Sequence, residues 1–111
     1  MNIDNAKAQM RKGVLELCIL AILHEGPAYV SDLMARLKQS EIIVVEGTLY
    51  PLLTRLKNAG LLAYKWEESK SGPPRKYYEL TDLGKSSFEE LRNSWSELVE
   101  SVNQTLQTSA S

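Results

Sequence analysis

The sequence predicts a mainly α fold with one small β-hairpin, closed by a single long C-terminal helix. Three observations lead there. Apolar residues recur at helical spacing in two short segments that follow a longer apolar run, and the first and last of these three stretches stop at glycine-containing breaks. Two later segments alternate apolar and polar residues around a tip rich in Ser, Gly and Pro, and a 3-4-3-4 apolar spacing fills the last third of the chain. With 111 residues, 43% hydrophobic and 24% charged, one domain with one core is the expectation.

Residues 10 to 25 read as helix one, because the run through Leu15, Cys18, Ile19 and Ile22 exceeds a normal strand and ends at Gly26-Pro27. Its apolar positions wrap more than one face, as suits a helix packed on two sides at the centre of the core. Val30, Leu33, Met34 and Leu37 follow at i, i+3, i+4 and i+7 and define a short helix two. Ile42-Ile43-Val44-Val45 is β-branched throughout and favours an extended connection. Leu49, Leu52, Leu53 and Leu56 form the stripe of helix three, which Asn58-Ala59-Gly60 ends. Pro51 is compatible with that helix only if it starts near Glu46 to Thr48, leaving the proline in or beside the first turn.

Leu62, Tyr64 and Trp66 alternate with polar or small residues, as do Lys76, Tyr78 and Leu80, so two strands flank a flexible tip at Glu68 to Pro74. Thr81 caps a last helix, with Asp82 in its first turn. Phe88, Leu91, Trp95, Leu98 and Val102 form a heptad seam on that helix. From Asp82 to Leu106 it would run about 37 Å, longer than the preceding domain can cover, so the stripe calls for a second chain. The expected division is a domain at 1–81, a dimerisation helix at 82–107 and a frayed tail at 108–111.

Charge is unevenly placed. The total is −1, yet from Gly47 to Tyr77 Arg55, Lys57, Lys65, Lys70, Arg75 and Lys76 face only Glu67 and Glu68, a net +4. From Tyr78 onward Lys85 and Arg92 face Glu79, Asp82, Glu89, Glu90, Glu97 and Glu100, a net −4. The longest apolar run, Val14 to Leu23, has ten residues against the roughly 20 a membrane span needs. No charged segment leads into a signal-like apolar stretch, so a cytoplasmic protein is expected. His24 and Cys18, the sole residues of their types, lie six apart on different faces of helix one, and Gly-rich phosphate loops are absent. No enzyme, cofactor or metal site follows, and Cys18 reads as a buried inert thiol.

Three helices and then a hairpin is the order of a winged helix-turn-helix, in which the third helix enters the DNA major groove and the hairpin meets the flanking backbone. Four ordered blocks carry a closer resemblance: Gly13-Val14-Leu15-Glu16-Leu17-Cys18-Ile19-Leu20; Gly26-Pro27-Ala28-Tyr29; Gly47-Thr48-Leu49-Tyr50-Pro51-Leu52-Leu53-Thr54-Arg55-Leu56; and Gly72 to Gly84. From about Arg11 to Leu83 the chain resembles the short, single-domain members of the PadR-type transcriptional regulators. It departs from many members at Val30-Ser31-Asp32, where they read Gly-Tyr-Glu. The resemblance implies a dimeric, usually repressing protein on double-stranded DNA.

The residues suit those roles. Opposite the leucines, helix three presents Gly47, Thr48, Tyr50, Pro51 and Thr54, small or hydrogen-bonding groups that allow close approach to base edges. Tyr50 either reads DNA or closes the helix-two interface with its ring. Arg55 and Lys57, further along, meet phosphate or form surface pairs. Lys70, Arg75 and Lys76 surround the hairpin turn at Gly72-Pro73-Pro74 and either reach phosphate or simply solvate the strands. Phe88, Leu91, Trp95, Leu98 and Val102 are the expected dimer interface, with Trp95 filling that core or, by resemblance to multidrug-sensing relatives, lining a pocket for a planar aromatic compound. The competing reading is a winged-helix module that binds a protein instead of DNA.

Overall fold

A computed structural model describes residues 1–110 of the chain. In order the elements are α1 (Ile3–Glu25), β1 (Ala28–Tyr29), α2 (Val30–Gln39), α3 (Glu46–Asn58), β2 (Leu62–Ser69), β3 (Gly72–Leu80) and α4 (Asp82–Ala110). The α4 backbone thus takes in residues 108–110 of the expected frayed tail, and Ser111 lies outside the described residues.

α1 begins at Ile3, seven residues before the expected start at residue 10. Asn2 caps it, its side chain accepting a hydrogen bond from Asn5 N–H at 3.1 Å, and Ala6, Lys7, Ala8, Gln9 and Met10 are good helix formers that carry no buried stripe. Further along, Ile19 and Leu20 are fully buried, and α1 forms the centre of the core as expected. Leu33 and Leu37 of α2 and Leu49, Leu53 and Leu56 of α3 close around it.

Local chemistry sets each helix end. At α2 the Asp32 carboxylate accepts from Tyr29 N–H at 3.0 Å, satisfying a donor at the helix start. α3 starts at Glu46, which makes Pro51 admissible. The proline has no N–H for the carbonyl of Gly47 four residues back, and Gly47 is exposed, so that carbonyl can reach water. α3 ends at Asn58, and in the turn that follows Gly60 has a φ of +83° that suits a glycine, while Leu61 N–H closes back on the Leu56 carbonyl at 3.0 Å. Thr81 caps α4, its hydroxyl accepting from Gly84 N–H at 3.0 Å and donating to the Gly60 carbonyl at 2.6 Å.

The sheet has three strands in the order β1-β3-β2, all antiparallel. Sequence periodicity predicted only the hairpin, because two residues are too few to show a period. β1 pairs Ala28 with Tyr78 and Tyr29 with Tyr77, tying the α1–α2 connection to the hairpin. The turn is at Lys70-Ser71, so Gly72-Pro73-Pro74 lies within β3 and not at the tip. Both prolines fall where the β2–β3 ladder shifts register between Glu67 and Ser69, a place where two missing donors cost the sheet little.

One interface assignment is corrected by the packing. Phe88, expected at the start of an intermolecular seam, is only 5% exposed and belongs to the chain's own core, its ring 4.8 Å from that of His24. A heptad spacing gives the phase of a stripe but not which chain covers each turn. Phe88→Ala should therefore lower folding stability by about 3–5 kcal/mol in chemical denaturation. An unchanged midpoint would contradict this placement.

Candidate functional site

Leu49, Leu53 and Leu56 fix the rotation of α3 by burying one face, and the opposite face is left to solvent. Gly47, Thr48, Tyr50, Pro51, Thr54, Arg55 and Lys57 are all exposed, Tyr50 at 46%. Gly47 to Thr54 occupy the N-terminal two turns, where the helix presents small groups beside one aromatic hydroxyl. Arg55 is turned away toward α1, forming an ion pair with Glu16, whose Oε1 is shielded and makes no hydrogen bond apart from that pair. Lys57 lies at the far end of α3, its Nζ 5.4 Å from the Tyr64 ring centroid. Thus the structure groups Gly47, Thr48, Tyr50, Pro51 and Thr54 on one surface and sets Arg55 and Lys57 toward its edge.

The hairpin cations are held rather than loose. Arg75 sits over the Tyr29 ring at 4.0 Å and donates a hydrogen bond to the Ser31 hydroxyl at the start of α2. The Tyr29 hydroxyl donates to Glu67 at 2.5 Å, and that bond raises the Tyr29 phenol above its ordinary value. Tyr29, Ser31, Glu67 and Arg75 therefore fasten the hairpin to the α2 N-terminus. The Lys76 Nζ lies 4.4 Å from the Tyr64 ring centroid and 5.4 Å from that of Trp66, so its charge rests against the two rings. Lys70 alone marks the exposed tip. Ser31 and Glu67 were not predicted as part of this site. Strand register, which sets Glu67 opposite Arg75, was the available signal.

Between α3 and the hairpin runs an open cleft of about 440 Å³, lined by Tyr50, Trp66, Arg75 and Lys76 together with Glu46 and Ser31. Its electrostatics are mainly cationic, with Glu46 the opposing charge at the first turn of α3.

A second surface lies on the far side of the molecule. Leu91, Trp95, Leu98 and Val102 are exposed along α4, as is Met10 on α1. Trp95, Leu98 and Val102 face Met10, Gly13 and Val14 across an apolar groove of about 670 Å³. The seam was read as belonging to α4 alone. α1 supplies its other wall, a contribution hidden by the polar composition of residues 3–12. Cys18 is half-buried rather than fully buried, and that burial pushes its thiol up from the ordinary value. Among the described residues, no cluster of three or more His, Cys, Asp or Glu side chains is placed to hold a metal. No described helix is long and apolar enough to cross a membrane.

Three core helices, an exposed third-helix face and a hairpin fastened beside it make a DNA-binding winged helix-turn-helix. Residues 19–90 match the transcriptional regulator PadR-like family, and the chain belongs to it. Solved structures agree along nearly the whole length. A PadR-like transcription factor from Bacteroides fragilis is 62% identical, with 90% of this chain and 97% of that one covered and a TM-score of 0.77. A PadR family transcriptional regulator from Eggerthella lenta is 36% identical, covers 94% and 91%, and has a TM-score of 0.86. A PadR-like transcriptional regulator from Bacillus cereus is 41% identical, covers 89% and 97%, and has a TM-score of 0.78. The chain is therefore a transcriptional regulator of the PadR-like family.

Proposed function

We propose that this regulator is a homodimeric repressor that binds an inverted-repeat operator. The observation that carries the reading is the exposed α3 face, Gly47, Thr48, Tyr50, Pro51 and Thr54, with Arg75, Lys76 and Lys70 of the hairpin beside it. Small side chains let the helix sit deep in a major groove, where the Tyr50 hydroxyl reads a base edge, and the hairpin cations answer the phosphates of the flanking backbone. In this scheme residues 1–81 are the DNA-binding unit and 82–107 the dimerisation helix. Leu91, Trp95, Leu98 and Val102 meet the partner together with the Met10 side of α1. Twofold symmetry then sets two α3 helices about one DNA turn, roughly 34 Å, apart.

Tyr50 separates sequence reading from general affinity. Tyr50→Phe should cost about 1–2 kcal/mol on the operator duplex and little on a scrambled duplex of equal length, measured by titration at fixed salt. Equal losses on both would make the tyrosine a packing residue.

The groove beside Trp95 supports an effector site in the same assembly. Its walls are mainly apolar and include the Trp95 indole, against which a planar aromatic compound could stack. A ligand that spreads the two terminal helices would change α3 spacing and alter operator affinity by about 5- to 150-fold. Titration of planar aromatic cations and phenolic acids, followed by tryptophan fluorescence and operator binding together, tests the coupling. Quenching with unaltered operator affinity would return Trp95 to a purely structural part.

A further inference from the structure

The side of the sheet that faces the core continues past the core. Along β2 the residues on that side are Leu62, Tyr64 and Trp66, and exposure climbs from 3% at Leu62 to 60% at Trp66. The indole is thus open to an occupant of the cleft that it lines. Its surroundings say which. Trp66 lines the cleft between α3 and the hairpin, with Tyr50 across from it and Lys76 paired opposite it on β3. Arg75 borders the cleft from the other face of β3, fixed by Ser31 and the Tyr29 ring.

We infer that this cleft seats the sugar–phosphate backbone of one DNA strand, with Trp66 packing against deoxyribose while Lys76 and Arg75 take the adjoining phosphates. The inference rests on the DNA-binding reading and adds a subsite to it. A nucleic-acid backbone alternates an apolar sugar face with a charged phosphate. The cleft offers the matching alternation of aromatic ring and cation. Glu46, at the α3 end of the cleft, repels phosphate and so directs the charged groups toward the hairpin side. Packing against sugar carries no base information, so Trp66 is an affinity and positioning residue and Tyr50 the reader.

The direct test uses the unmutated chain. Hydroxyl-radical labelling read by peptide mass reports Trp66 and Trp95 separately, with and without operator duplex. Duplex should protect Trp66 and leave Trp95 unchanged, and equal labelling of Trp66 in both states would overturn the subsite. Substitution gives an independent arm. Trp66→Ala should weaken operator and scrambled duplex alike by about tenfold, while Trp66→Phe stays within about threefold of the unmutated chain. A folded Trp66→Ala chain with unchanged affinity would likewise overturn it. Binding with Trp66 unprotected removes the cleft from the interface and keeps the DNA reading, whereas a chain that binds no duplex removes both.

Discussion

If the proposed dimer forms, a chain carrying Leu98→Glu should sediment as a monomer at concentrations where the unaltered chain sediments as a dimer. Leu98 is 55% exposed on the isolated chain, so the substitution leaves the monomer's core untouched. In the proposed assembly the same position lies inside an apolar seam, where the twofold axis brings in two carboxylates at once. Desolvating each without a partner costs at least about 2 kcal/mol, so the dimer constant should weaken a thousandfold or more. Helical content and melting of the monomer are the controls, since loss of both would mean that Leu98 serves folding. A variant that remains a dimer of unchanged affinity would show that the seam lies elsewhere. Phe88→Ala is the complementary case, expected to destabilise the monomer itself because that ring is already buried within it.

The second large effect concerns salt. Replacing Arg75 and Lys76 by Ala removes four cations from a DNA-bound dimer. If half to all of them touch phosphate, the slope of log affinity against log salt should flatten by about 1.8 to 3.6. Affinity for operator and unrelated duplex should fall together. The structure supplies a control for misplacement of the hairpin. Ser31→Ala deletes the hydroxyl that holds Arg75 but keeps every charge, so it should leave the slope unchanged while altering affinity modestly. A double variant whose slope equals that of the unaltered chain would remove the hairpin from the interface.

Much of this site was legible from residue order. Helix two, helix three with its admissible Pro51, the hairpin strands and the Thr81 cap all rest on local periodicity or local hydrogen bonding, and such signals lie within a few residues of one another. What escaped depends on distant partners. The first turns of α1 carry no apolar stripe, so nothing in residues 3–9 revealed a helix, and the pairing of Met10, Gly13 and Val14 with the Trp95 groove depends on where α4 packs. β1 exists because Tyr77 and Tyr78 lie beside it, 48 and 50 positions from their partners. Gly72-Pro73-Pro74 has the composition of a turn, yet the shift in ladder register draws it into a strand. Arg55 and Arg75 were read alike as cations near the recognition helix. Glu16 claims the first, while Ser31 and the Tyr29 ring hold the second at the cleft, a difference that only tertiary packing sets.

In the proposed function α3 and the hairpin bind duplex DNA as a symmetric pair. Selection of duplexes from a random pool by the full chain, followed by hydroxyl-radical footprinting of the enriched sequence, tests it most directly. The expected result is an inverted repeat with two protected patches on one face of the helix, centred about 34 Å apart or a multiple of it. A folded chain that enriches no sequence and protects no backbone at low salt would contradict the account.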